Sequence, residues 1–281
     1  MKISLKQYLV PILLCLICSN SQAEPGSDPV SDSVLFGSVA MDIPAVMHRR
    51  LKPLTKYLSA AIKKPVSLKL SPDMRSAISE VAKGGVDIAY LTPVAYLKAN
   101  AKGDSKILVK TVTNNKGSFQ LMIVVAEDSP MKTIEDLAGK SFAFGDKAAL
   151  LQRAVVVGAG IPLNKLGGYK FIGHYDNIVR GVLNGDFEAG ILKDTKAFAW
   201  QKKGIRILYS SPYLPPYNIT VKKSINKDLE AKLRSAFLAL DSNNPAHKKI
   251  IKSLSKKYTG FATTSDKEYD VIRKLIAPFN K

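Results

Sequence analysis

Three carboxylates, Asp42, Asp146 and Asp194, each stand just past an apolar run that reads as a strand, where Lys147, His174 and Tyr90 also lie and Tyr96 follows one turn on. Side chains at such ends can act on a bound small molecule. The Lys147 ammonium, at the first turn of a helix expected over 147–158, can serve an anion as a point charge that demands no fixed geometry, or it is an ordinary exposed lysine. His174 can donate a hydrogen bond with a charge that responds to pH near neutrality, or it is simply packed. Tyr90 and Tyr96 can stack on a ligand or hydrogen-bond to it, and as aromatics they suit a core equally well. The aspartates can also cap helices or close turns. Other chemistries are excluded by composition. Both cysteines, Cys15 and Cys18, fall within the first 23 residues, and His48, His174 and His247 are dispersed. Thiolate chemistry and a clustered zinc site are therefore not expected. With no nucleophile, base and orienting group at a recognisable spacing, neither an enzyme nor a cofactor is expected.

The N-terminus carries Lys2 and Lys6, then an apolar run from Tyr8 to Ile17, then Ser-Asn-Ser-Gln-Ala at 19–23. This is the pattern of a secretory signal peptide, residues 1–23, with Ser21 and Ala23 filling the small positions that a peptidase requires. The expected location is the periplasm, with cleavage after about Ala23. Neither cysteine follows the small residue of a lipid-attachment site, so lipidation is not expected. Because the leader holds two lysines and no acid, cleavage leaves +17 of the net charge of +19. Such a basic chain suits an anionic ligand or surface, and export argues against a nucleic acid partner.

Residues 24–33, rich in Ser, Asp and Pro, read as a flexible lead-in. Order begins at Val34. The run 34–40 reads as a strand, and Pro44 then opens a helix in which Met47, Leu51, Leu54, Leu58 and Ile62 recur on one face. Strands at 65–70 and 86–91 follow, with a helix between them capped by Asp73 and ended by Gly84-Gly85. Alternation of this kind implies a parallel sheet flanked by helices. A strand at 107–113 leads to a turn-rich break at 114–117, and a second α/β unit runs from strands at 140–144 and 169–172 to others at 188–191 and 205–209. Helices fit near 226–241, 245–257 and 265–277. The fold class expected is α/β: two lobes, 34–118 with 222–281 and 127–210, joined by two hinge crossings at 119–126 and 211–221. Ligands in such folds sit beyond the carboxyl ends of strands, where helix N-termini present free N–H groups.

Several stretches, in order, resemble the phosphate/phosphite/phosphonate substrate-binding proteins of ABC transporters, a branch of the type II periplasmic binding proteins. They are FGSVAMDIPAVMHRRLKPLTKYLS at 36–59, GGVDIAYLTPVAYLKA at 84–99, MKTIEDLAGKSFAFGD at 131–146, NIVRGVLNGDFEAGILKD at 177–194 and IRILYSSPYLPPYNITV at 205–221. The resemblance implies a ligand in an interlobe cleft, contacted by Met41 and Asp42 in the first loop, by Tyr90, Thr92, Pro93 and Tyr96, by Asp146, Lys147, Ala148 and Ala149, by His174 and Asn177, and by Asp194 in the Lys193-Asp194 loop. It implies a small anion as cargo, an ABC permease or a membrane sensor protein as partner, and a monomer. One departure stands out. Relatives that bind phosphonate follow Phe-Gly-Asp with a Ser-Thr-Ser run, and this chain reads FGDKAALLQ, with Ala149, Leu150 and Leu151 in place of the hydroxyls. Each lost hydrogen bond to a charged group is worth roughly 1.5–3 kcal/mol. A standard phosphate or phosphonate site is not expected there.

Overall fold

The computed structural model describes residues 33–39 and 42–280; the expected leader, nearly all of the lead-in, and Met41 lie outside them. Strand β1 (Val34–Ser38) runs into helix α1 (Pro44–Ile62), whose expected apolar face, Met47, Leu51, Leu54, Leu58 and Ile62, is buried throughout. Strand β2 (Val66–Leu70) follows, and the Asp73 carboxylate accepts the Ser76 N–H at 2.8 Å to cap α2 (Met74–Ala82). Thr92 caps α3 (Pro93–Lys102) in the same way, immediately after β3 (Ile88–Leu91). Next come β4 (Lys106–Thr113), β5 (Leu121–Ala126), β6 (Ser141–Phe144), α4 (Leu150–Gly158), β7 (Gly168–Phe171) and α5 (Tyr175–Leu183). The chain continues through β8 (Ala189–Lys193), α6 (Asp194–Trp200), β9 (Ile205–Ser210) and β10 (Asn218–Val221). It closes with α7 (Lys227–Leu238), α8 (Pro245–Leu254), β11 (Tyr258–Ala262) and α9 (Asp270–Ile276).

These elements build two mixed sheets, ordered β11-β4-β10-β3-β1-β2 and β7-β6-β8-β5-β9. The expected parallel core exists, because β1 pairs in parallel with β2 and β3, and β6 with β7 and β8. Each sheet also holds an antiparallel strand delivered from the other lobe: β10 lies between β3 and β4, and β5 between β8 and β9. The expected hinge boundaries shift accordingly. Leu-Met-Ile-Val-Val at 121–125 and Asn-Ile-Thr-Val at 218–221 are buried on both faces, so they must sit inside sheets and not in solvent. The crossings are the shorter stretches 114–120 and 211–217. Phe119 and Leu214 tie them together, exchanging N–H···O bonds of 2.9 and 2.8 Å.

The expected assignment of 222–281 to the first lobe also needs correction. Helices α7 and α8 and strand β11 pack on the first sheet, with Phe237, Ile251 and Phe261 in the same core as Phe36 and Leu54. Tyr269, Ile272 and Ile276 instead share the core of Phe142 and Val155, and Leu275 lies where a Cβ on Gly158 of α4 would stand. The C-terminal segment is thus a third connection between lobes. Its anchor is Asp266, which accepts the Tyr96 hydroxyl of α3 and pairs with Arg273. Burial alone would raise the Asp266 pKa, but bonds from Arg273 and Tyr96 outweigh it and hold the carboxyl below its ordinary value. A carboxyl depressed on folding contributes stability that is full above its unfolded pKa of about 3.9 and is lost as pH falls through the lower folded value. Asp266→Asn should therefore lower the melting temperature by a few degrees at pH 6. In calorimetric melts the gap from wild type should close progressively below about pH 4.

Candidate ligand-binding site

Where the lobes face each other, two connected cavities open. The inner one, about 290 Å3 and set against the first sheet, is lined by Arg50, Tyr90, Tyr217, Ser255 and Tyr258, among others. The outer one, about 480 Å3, has Asn114, Lys116, Phe119 and Phe198 on its walls. Thr113, Lys193, Thr195 and Lys257 line both, so the two are compartments of one cleft.

The elements explain why these groups meet. Tyr90 ends β3 beside the start of α3, and Tyr217 precedes β10, whose Ile219 pairs with Tyr90 across the sheet. Tyr258 opens β11, and its hydroxyl lies 2.6 Å from that of Tyr90. The Tyr90 and Tyr217 rings are tilted with centroids 5.3 Å apart. Burial raises the pKa of all three, Tyr90 most steeply, and the nearby Arg50 cation only partly opposes this. They therefore remain neutral O–H donors near pH 7. Thr113 is placed at the strand tip by a tight turn in which Asn114 and Asn115 both take positive φ, 47° and 61°, as such hairpin turns require. Its hydroxyl is buried and has no hydrogen-bond partner.

The second lobe contributes Lys193, at the end of β8, and Thr195 in the first turn of α6. The Lys193 Nζ stands 4.6 Å from the centre of the Phe119 ring, and among the described residues no carboxylate pairs with it. Burial lowers its pKa. Lys257, from the first lobe, donates to the Thr195 hydroxyl at 3.2 Å and so joins the two walls across the cleft. The one carboxylate on the walls belongs to Asp194, and it already accepts the Thr195 and Gln120 N–H groups at 2.6 and 3.1 Å. The net balance is four cations, Arg50, Lys116, Lys193 and Lys257, and several neutral hydroxyls, set against Asp194, held by backbone N–H groups, and Asp42, paired with Arg50. That arrangement is suited to an anion.

Of the residues expected at the site, Tyr90 and Asp194 line these compartments, and Asp42 reaches them through Arg50, which it pairs at 3.5 Å. Thr92 and Pro93 serve the start of α3, one as cap and the other buried at its first position. Tyr96 belongs to the core, fully buried edge-to-face against Tyr269, with its hydroxyl spent on Asp266. One turn along α3 carries a side chain onto the helix face that packs inward, which is why this expectation fails. Lys147 and Ala148 are exposed and precede α4, which starts at Leu150 and not at 147. The turn closes on itself, with Asp146 accepting the N–H groups of Ala148 through its side chain and of Ala149 through its carbonyl. His174 is exposed at the start of α5 and makes no side-chain cap. The Asn177 amide donates to the Ile172 carbonyl at 2.7 Å, fastening that helix to its strand. None of these lines either compartment. Lys193 was named only as part of the Lys193-Asp194 loop, and Arg50, Thr113, Thr195, Tyr217, Lys257 and Tyr258 were not singled out from the sequence.

Two α/β lobes, each with an antiparallel strand donated by the other, and a cleft at the carboxyl ends of the parallel strands define a type II periplasmic binding protein. The comparisons agree. The model of the family described as "ABC transporter, phosphonate, periplasmic substrate-binding protein" matches residues 36–269, and the chain belongs to that family, one of binding proteins and not of enzymes. The phosphate-import protein PhnD of Mycolicibacterium smegmatis is 22% identical over 200 residues, 65% of this chain. The chain spans 62% of the length of that curated relative. Among solved structures, XAC2383 from Xanthomonas citri, bound to chloride in one structure and to ATP in another, superposes with a TM-score of 0.72 at 20% identity, covering 88% of this chain and 97% or 96% of its own. PhnD1 from Prochlorococcus marinus in complex with methylphosphonate gives 0.68 at 18% identity, covering 89% and 99%.

Proposed function

We propose that this protein is exported, captures a small anion between its lobes and delivers it to an ABC permease. The observation that carries the reading is the charge balance of the cleft: Arg50, Lys116, Lys193 and Lys257 line it, and the one carboxylate on its walls, Asp194, is held by backbone N–H groups. In a partly desolvated cleft such a surplus is costly until an anion neutralises it, and hydroxyls of neutral tyrosines supply directional donors. The similar proteins are named with anions: one as a phosphate-import protein, the others in complex with methylphosphonate or bound to chloride or ATP. The missing hydroxyls at 149–151 fit this arrangement, since the cations and tyrosines supply donors from other elements.

A thermal-shift screen tests the reading. Phosphate, phosphite, methylphosphonate, phenylphosphonate, sulfate, arsenate and small carboxylates form the anion set; neutral sugars and cationic amines are the controls. A ligand at a hundred times its Kd stabilises the folded state by about 2.7 kcal/mol. For a protein of this size that is roughly 5–10 °C in Tm. At least one anion should reach that range and no control should. Equal shifts from sugars or amines, or none from any anion, would refute the proposal.

A further inference from the structure

We infer that the cleft is built for an anion carrying an aryl or similarly apolar tail, with the charged group in the inner compartment and the tail in the outer one. This rests on the reading that the cleft binds an anion, and deepens it by naming the ligand's second half. The compartments differ in chemistry. The inner one adds Arg50 and the three tyrosine hydroxyls to the shared lysines; the outer one adds Lys116 and Asp194 but also an apolar stretch of wall, Phe119, Phe198 and Ala199, that the inner one lacks. Water's share of liquid volume is about 30 Å3 per molecule, and a bare tetrahedral oxyanion is only a few times that. Inorganic phosphate would leave much of the inner 290 Å3 and all of the outer 480 Å3 to solvent. Together the compartments fall in the range, about 300–1,000 Å3, that holds larger organic ligands.

Phe198 supplies the second observation. It projects from α6 with 53% of its surface exposed, while the buried side of that helix is made by Asp194 and Ala197. A large apolar ring at a cavity mouth, beside Phe119 and the Lys193 ammonium, gives a tail a face to cover. Thr113 marks the junction. The residue lines both compartments, and its buried hydroxyl has no hydrogen-bond partner, which leaves a spare donor at the link between head and tail.

Titration calorimetry with methylphosphonate and phenylphosphonate, which share a head group and differ in the tail, decides the matter. Phenylphosphonate should bind wild type at least tenfold more tightly. Phe198→Ser should remove most of that advantage and leave the methylphosphonate Kd within about twofold. Ala199→Trp, which fills the outer compartment from an exposed position, should act the same way. Equal affinity for both ligands in wild type, or equal weakening of both by the two variants, would overturn the tail subsite while leaving anion capture intact. If neither phosphonate binds, the tail subsite falls; if no anion of the wider screen binds either, anion capture falls with it.

Discussion

Lys193→Met should abolish most anion binding and at the same time make the ligand-free protein melt at a higher temperature. Both halves follow from one fact: the Lys193 ammonium is largely buried at the junction of the compartments against an aromatic ring, and the neighbouring Asp194 carboxylate offsets that burial only in part. A buried charge that is only partly compensated destabilises the fold, and replacing it with an apolar side chain of similar length removes that penalty. In the complex the anion is the missing partner. Truncating one member of a buried charge pair costs about 2–5 kcal/mol, so affinity should fall on the order of a hundredfold or more. Because burial lowers the lysine's pKa, the cation is lost at a lower pH than an ordinary lysine's. Wild-type affinity should accordingly weaken as the pH rises through that depressed value, and the variant should lack this step. Paired thermal melts and calorimetric titrations check the prediction. A variant that loses binding and stability together would point to a structural role for Lys193 instead.

The parts of this molecule that were legible in its sequence are those set by local pattern. The four-and-three spacing from Met47 to Ile62 and the Asp73 cap need only neighbouring residues to be understood. Strand pairing is different. Leu-Met-Ile-Val-Val at 121–125 reads the same whether it crosses between lobes or runs through the middle of a sheet, since periodicity reports burial and not the partner. Tyr-Thr-Gly-Phe-Ala at 258–262 is too short and too interrupted by Gly260 to register as a strand, and with it Tyr258 disappears from view. The site suffers most. Among 42 lysines and arginines, nothing local separates the cations that line the cleft from those that face water. Lys193 and Asp194 are adjacent at the end of one strand, yet the lysine makes no ion pair among the described residues while the aspartate accepts hydrogen bonds from the backbone.

Arg50 carries the second large effect. Its positive field reaches Tyr90, Tyr217 and Tyr258 alike, and it lines the inner compartment with them. A guanidinium can grip two oxygens of a tetrahedral anion at once, and an ammonium cannot. Arg50→Ala should therefore weaken anion binding by about 2–4 kcal/mol, roughly thirty- to a thousandfold, and Arg50→Lys should recover only a small part of that loss. Asp42 gives the opposite sign. Its carboxylate stands 3.5 Å from the guanidinium in an exposed pair, so it competes with the ligand for the same donors while adding little stability. Asp42→Asn should tighten binding a few-fold with Tm nearly unchanged. The tightening should shrink in high salt, where the screening length drops to about 3 Å. Calorimetry on the three variants at low and high ionic strength separates these outcomes. If Asp42→Asn instead weakens binding, the Asp42–Arg50 pair is orienting the guanidinium for the anion, and the carboxylate belongs to the binding machinery in place of competing with it.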